Sequence, residues 1–335
     1  MRRIGGYTAL LAMFAAPALA NDTMAELKTG GLAYVRTGDI SMDQEKLFIS
    51  AAEVRVDYVF ENTSDKDVES VVAFPMPDIK GDVDSMVDAG NVDADNFLGF
   101  TVTQDSKAIV PALQQSVTVA GVDMTDELKA HGVPLLPLSK AAMDAVGKLP
   151  VDVLEDWTAR GLIADDEYDS DGQGMKHHPT PMWTLHTTYW WRTKFAAKAK
   201  IGVQHRYRPS VGGTVAITFA GDEDYQKQQL QTYRSKYCID EAFLKTATKL
   251  VAVADKGGRS YTENWISYVL TTGANWSGPI KHFELTVDKG SPENYISFCG
   301  KDVKKTGPTT FQLTAQGFYP DHDLDILILS AVPVN

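Results

Sequence analysis

Residues 164–174 set Glu167, Asp169 and Asp171 at alternating positions ahead of Gly172. Oxygen ligands at every second position before a glycine are how calcium loops begin, because the ion wants six or more hard oxygens. With those three at loop positions one, three and five, position twelve falls on His178 rather than on a bidentate glutamate, so an EF-hand is not supported. A solvated acidic turn is the favoured reading, and calcium is the one cofactor left open. His177 and His178, with Met182 and His186 nearby, could be imagined as a zinc or soft-metal site. Adjacent histidines on a strand point to opposite faces, and neither an HExxH motif nor a thiolate completes a pattern. They read as structural or surface histidines, and no metal site is assigned.

The stretch that follows is aromatic: Trp183, Tyr189, Trp190, Trp191 and Phe195, with Tyr207 further on. On a strand, Trp183 and Tyr189 share one face, and Trp190 shares the other with His186. One set is expected to fill the core. The other either covers neighbouring helices or forms a stacking platform for a sugar or an extended ligand. Trp183, Tyr189, Trp190 and Trp191, beside Glu167, Asp169 and Asp171, are therefore the expected ligand-binding residues.

Motifs that would specify a reaction do not occur: the chain has no GxSxG, Walker A, dinucleotide fingerprint or CxxC. Ser277 is the most nucleophile-like serine by context, but Gly278 and Pro279 make that segment a tight turn between strands. A carboxylate pair drawn from the acidic loop and Asp321-His322-Asp323 is the alternative catalytic reading, since such pairs assemble across distant segments.

Strand patterns dominate both ends of the chain. Val54, Val56, Tyr58 and Phe60 alternate with Glu53, Arg55, Asp57 and Glu61, the period of a half-buried antiparallel strand. A turn at residues 62–67 leads to a second run, 68–74, stopped by Pro75 and Pro77, which predicts a hairpin. Residues 183–192 and 200–208 predict another. Between Gly121 and Leu162 the pattern turns helical, with Thr125 and Ser139 as caps and near-helical spacing of Val151, Val153, Leu154 and Trp157. One further amphipathic helix is marked by Ile239, Phe243, Leu244, Ala247, Leu250 and Val251, starting beside Cys238. Strands then return at Trp265–Leu270, Phe283–Val287, Phe311–Leu313 and Leu324–Ser330, at sandwich-like spacing.

The expected fold is mainly β, an antiparallel sandwich-like architecture with a helical insertion and one further helix. Its organisation reads as a leader at 1–20, an N-terminal β region at 21–120, a helical insertion with the acidic loop at 121–180, and a C-terminal β region with one helix at 181–335. The two β regions form either one sandwich core or two.

The leader is read from Arg2 and Arg3, the apolar run Tyr7–Phe14, and small residues at Ala18 and Ala20. The run is too short to span roughly 30 Å of hydrocarbon, so cleavage after Ala20 is expected to release a soluble periplasmic or secreted chain without a transmembrane anchor. Losing Arg2 and Arg3 takes two positive charges from the formal net charge of −12, leaving −14. Such a surface is a poor partner for nucleic acid or anionic lipid. Cys238 and Cys299 are the two cysteines, and in an oxidising compartment a disulfide is favoured over free thiols or metal ligands. Closing a loop of about 60 residues would cost the unfolded chain about 4 kcal/mol.

Several segments together resemble a known family. These are residues 21–32, 39–42, Val54–Asn62, Val72–Pro77, His205–Val211 and Thr271–Pro279. They resemble the secreted bacterial proteins grouped as domain-of-unknown-function family 4424, across essentially the whole mature chain; the family brings no activity with it. The segment Val54–Pro77 also resembles the β-sandwich entry of vault and inter-alpha-trypsin type domains, which implies a sandwich.

The expected role is that of an exported binding or accessory protein of the bacterial envelope, acting on a small ligand or an envelope protein. A secreted hydrolase and a structural envelope protein with an exposed strand edge are the alternatives.

Overall fold

The computed structural model describes residues 21–28, 31–83, 86–169 and 172–332. The expected leader and Asp171 lie outside them.

The chain is mainly β, with five α-helices among the described residues. A first sheet is built on Thr184–Phe195 and Val68–Pro75, flanked by Ala112–Val119 on one side and by Thr23–Lys28 and Gly31–Val35 on the other. A second sheet runs from Thr310–Phe318 through Ile280–Asp288, Ile40–Ser50, Val54–Asn62 and Lys200–Tyr207 to Thr101–Gln104. Its pairings are antiparallel except between Ile280–Asp288 and Ile40–Ser50. A third sheet centres on Leu324–Ala331 and Tyr261–Tyr268.

The first two sheets face each other across the main core. Phe74 and Tyr189 from the first sheet meet Phe100, which leads into Thr101–Gln104 of the second, with ring centroids 5.2 and 4.3 Å apart. Trp191 likewise lies edge-on to His205 across the gap. The run Ile326–Leu329 is apolar at consecutive positions because both its faces are covered. Ile326 and Ile328 join the main core, while Leu327 and Leu329 pack under the helices Asp224–Tyr237 and Glu241–Ala254.

Neither expected hairpin forms. Val54–Asn62 pairs within the second sheet, whereas Val68–Pro75 pairs within the first. Thr184–Phe195 and Lys200–Tyr207 are divided in the same way. In each case the connection is an arch that carries the chain across the core. Both strands of each arch present an apolar face, and two such faces bury each other by opposing across the core. The arches are stacked, so the first strand of each pairs with the second strand of the other: Val54–Asn62 with Lys200–Tyr207 in one ladder, and Val68–Pro75 with Thr184–Phe195 in the other.

The helices at Lys140–Val146 and Val151–Ala159 stand where the sequence puts them, the first capped by Ser139, whose side chain accepts from the Ala142 N–H. A helix at Asp224–Tyr237 was not expected: it is almost wholly polar, with Leu230, Tyr233 and Tyr237 as its apolar stripe. Cys238, at φ 53°, ends it in the left-handed conformation and redirects the chain into Glu241–Ala254. The Cys238–Cys299 disulfide ties this helical layer to Tyr295–Phe298, the edge strand of the third sheet.

Candidate functional site

Along Thr184–Phe195 every second side chain is buried, so Tyr189 and Trp191 point into the core while His186, Trp190, Arg192 and Lys194 line the outer face. Tyr189 stacks on Phe100 and donates to the Asn96 side chain at 2.6 Å. Trp183 is fully buried, donates its indole N–H to the Leu135 carbonyl at 2.8 Å, and lies edge-on to Trp157 of the helical segment. Three of the four expected aromatic ligand residues, Trp183, Tyr189 and Trp191, are thus core packing, because the inward face had to be filled by large side chains. Trp190 alone is on the open side.

Around Trp190 the outer face is shaped by small residues. Its ladder neighbours are Ala73 and Ala112, so no large side chain crowds the indole from the adjoining strands. Ala25, Val71 and Ala73 form a buried floor on which Trp190, Tyr34 and Leu32 rest. Tyr34 is held by a hydrogen bond between its hydroxyl and that of Thr188, 3.0 Å apart. Next to this patch, an open groove of about 830 Å³ is lined by Ala25, Leu27, Glu69, Val71, Arg192 and Lys194 among others. The register sets Arg192 opposite Val71 and Lys194 opposite Glu69, so cationic and anionic heads flank an apolar floor.

The acidic segment does not join this surface. Residues 163–168 and 176–181 form a separate two-stranded ladder carried by the helices Lys140–Val146 and Val151–Ala159. Six residues of strand, about 20 Å, separate Trp190 from Thr184, where the main sheet begins after that ladder. Asp169 accepts the Gly172 N–H at 2.6 Å, closing a local turn. His177 contacts Asp165 at 2.8 Å, and His178 stacks on Tyr168 with centroids 3.6 Å apart. Glu167 lies on the first strand of this ladder, and Asp171 is outside the described residues. No group of three or more His, Cys, Asp or Glu side chains among the described residues is arranged to hold a metal ion.

A second concentration of polar groups, unforeseen from the sequence, is sealed between the sheets. Asp22, Glu45 and His205 are each 1% exposed or less. Asp22 and His205 approach to 3.5 Å, and Glu45 accepts from the Asn21 side-chain amide at 3.2 Å. Tyr58 donates to Asn21 and lies 3.0 Å from the Tyr268 hydroxyl. Burial pushes the Glu45 carboxyl up to about 8 and the His205 imidazole down to about 3. Asp22 is raised by burial and then by Glu45 beside it. Desolvation outweighs the short contact between Asp22 and His205, so their neutral forms are favoured. His205 was the legible member, a polar residue at an inward position between Val203 and Tyr207. With no exposure, these carboxylates meet no substrate. Asp323, from the other stretch considered for catalysis, accepts from Leu270, Thr271 and the Thr271 hydroxyl and so braces a turn; Asp321 pairs with His322 on the surface.

No helix among the described residues is long and apolar enough to cross a membrane. Among solved structures, the chain is similar to a Legionella pneumophila protein described as a "putative nutrient binding protein", at 15% identity and a TM-score of 0.43. That likeness covers 93% of this chain and 72% of the other, and bears on neither ligand nor activity. No curated protein matches the chain. The profile of the family described as domain of unknown function DUF4424 matches residues 20–327, and the chain belongs to that family.

Proposed function

We propose that the chain is an exported binding protein of the bacterial envelope that takes its ligand on the outer face of the first sheet, at Trp190 and the groove beside it. One observation carries this reading. Trp190 rests on an apolar floor between two alanine neighbours, at the side of an open groove flanked by Arg192, Lys194 and Glu69. A rigid aromatic loses little side-chain entropy on binding, and flanking charges of both signs orient a polar or zwitterionic ligand. Export is supported by the leader pattern at residues 1–20 and by the Cys238–Cys299 disulfide, which belongs to an oxidising compartment. Binding is preferred to hydrolysis because the carboxylates most strongly raised by burial, Asp22 and Glu45, are sealed from any substrate.

The test is to purify the protein natively from the periplasm, identify the bound mass, and repeat the purification with Trp190→Ala and Arg192→Ala. Loss of that mass at unchanged melting temperature supports the reading. Retention in both variants moves the site elsewhere.

A further inference from the structure

The segment Asn21–Thr23 runs through the interior with Asn21, Asp22 and Thr23 all fully buried. Its seat is built in detail. The Asn21 backbone N–H donates to the Thr272 hydroxyl at 2.6 Å, and that hydroxyl donates back to the Asn21 carbonyl at 2.8 Å. The Trp276 indole N–H holds the Asp22 carbonyl at 2.6 Å, and Asn275 donates to Thr23. Gly273 leaves the space: a Cβ there would come within 2.8 Å of the Asn21 side-chain nitrogen. Against this seat stand three carboxylate oxygens without a hydrogen-bond partner, Asp22 Oδ1, Asp22 Oδ2 and Glu45 Oε1. With only a neutral imidazole beside them and no cation to meet them, these two buried carboxyls can ionise only at heavy cost.

We propose that this seat is a receptor for the chain's own amino terminus: the α-ammonium released at Asn21 by cleavage of the Ala20–Asn21 bond is the missing cation for Asp22 and Glu45. A signal peptidase adds one water across that amide. Ala20 leaves with the new carboxylate, and the Asn21 nitrogen gains protons to become an ammonium. A peptide nitrogen has one N–H, already given to Thr272; the ammonium has three, so two more donors and a full positive charge arrive at a residue whose side chain already reaches Glu45 and whose neighbour in the chain is Asp22. Maturation and completion of the core are then one event, and the processed chain is more stable than any form whose amine is blocked or displaced.

The groups facing the seat set its pH dependence. With no ammonium, Glu45 held up to about 8 keeps a proton that the unfolded chain sheds above the ordinary glutamate range. Asp22, also raised, acts in the same direction. Stability is then present at low pH and lost as pH rises toward 8. Tyr58 and Tyr268, both raised by burial, stay neutral throughout, and His205 at about 3 does not titrate in that window. An ammonium favours the ionised carboxylates and flattens the loss.

Three forms decide the matter: the chain beginning at Asn21, the chain keeping Ala20, and the Asn21 chain with its α-amine acetylated. The native Asn21 form should resist amine-directed labelling by about tenfold or more relative to its urea-unfolded state. It should also melt above the other two, with a gap that widens from pH 5 to pH 8. A native α-amine as reactive as the unfolded one, melting temperatures that coincide at pH 8, or a mature terminus at another residue overturns the proposal. If the Ala20 or acetylated form does not fold, labelling of the native Asn21 form decides alone.

Discussion

The Asn62 side-chain amide donates to the Phe195 carbonyl at 2.9 Å, joining two arches that lie 133 residues apart in the chain. The same nitrogen donates to Lys66, and its oxygen accepts from the Ser64 backbone and hydroxyl. One fully buried side chain thus closes its own arch and fastens the neighbouring one. Asn62→Ala leaves the Phe195 carbonyl without this donor and opens the turn at 62–66. The expected loss is about 2 to 4 kcal/mol, read from urea unfolding midpoints, without change in ligand retention. A loss below about 1 kcal/mol would mean that the arches hold without it.

His205 carries an acid-side prediction. Its imidazole is held down to about 3, so between that value and its ordinary 6.5 the unfolded chain binds a proton that the folded chain refuses. Stability on this account is complete above about 6.5 and falls as pH is lowered, by roughly 1.4 kcal/mol per unit while the difference lasts. His205→Phe should therefore flatten the acid limb of a stability-against-pH curve, whatever its effect at neutral pH. An acid limb of unchanged slope would show that His205 is not buried neutral.

How much of this was legible depends on the range of the interaction concerned. The alternation within residues 184–195 correctly divides inward Tyr189 and Trp191 from outward Trp190, because side-chain direction on a strand is a local property. Which strand lies beside which is not local. The turn at 62–67 looks like that of a hairpin, and only the partner strands, more than a hundred residues away, make it an arch. Asp22 is hidden for a related reason: nothing in its local sequence marks it as interior, and only Glu45, Thr272 and Trp276 around the segment reveal its position. The helix Asp224–Tyr237 hid behind its glutamines, since its apolar stripe is three residues wide.

The Cys238–Cys299 bridge spans 61 residues of sequence and fastens the helical layer to the edge of the third sheet. Cys238→Ala with Cys299→Ala should destabilise by about 2 to 4 kcal/mol, since the open chain regains loop entropy. Hydrogen exchange should locate the loss in Asp224–Ala254 and Tyr295–Phe298, and leave the first sheet protected. Uniform loss of protection would mean that the layers unfold as one unit.

Trp183 and Trp190 separate packing from binding most directly. Trp183 is fully buried against Trp157 and bonded to Leu135, so Trp183→Ala should cost about 3 to 5 kcal/mol. Trp190 lies on the outer face, over the floor of Ala25, Val71 and Ala73. The deciding measurement is native mass spectrometry, with a parallel melting curve, on periplasmic wild-type and Trp190→Ala protein. A bound mass in the wild type that disappears from Trp190→Ala while the melting temperature stays within about 2 °C is the predicted result. The same bound mass in both proteins would contradict a ligand site on the outer face of the first sheet.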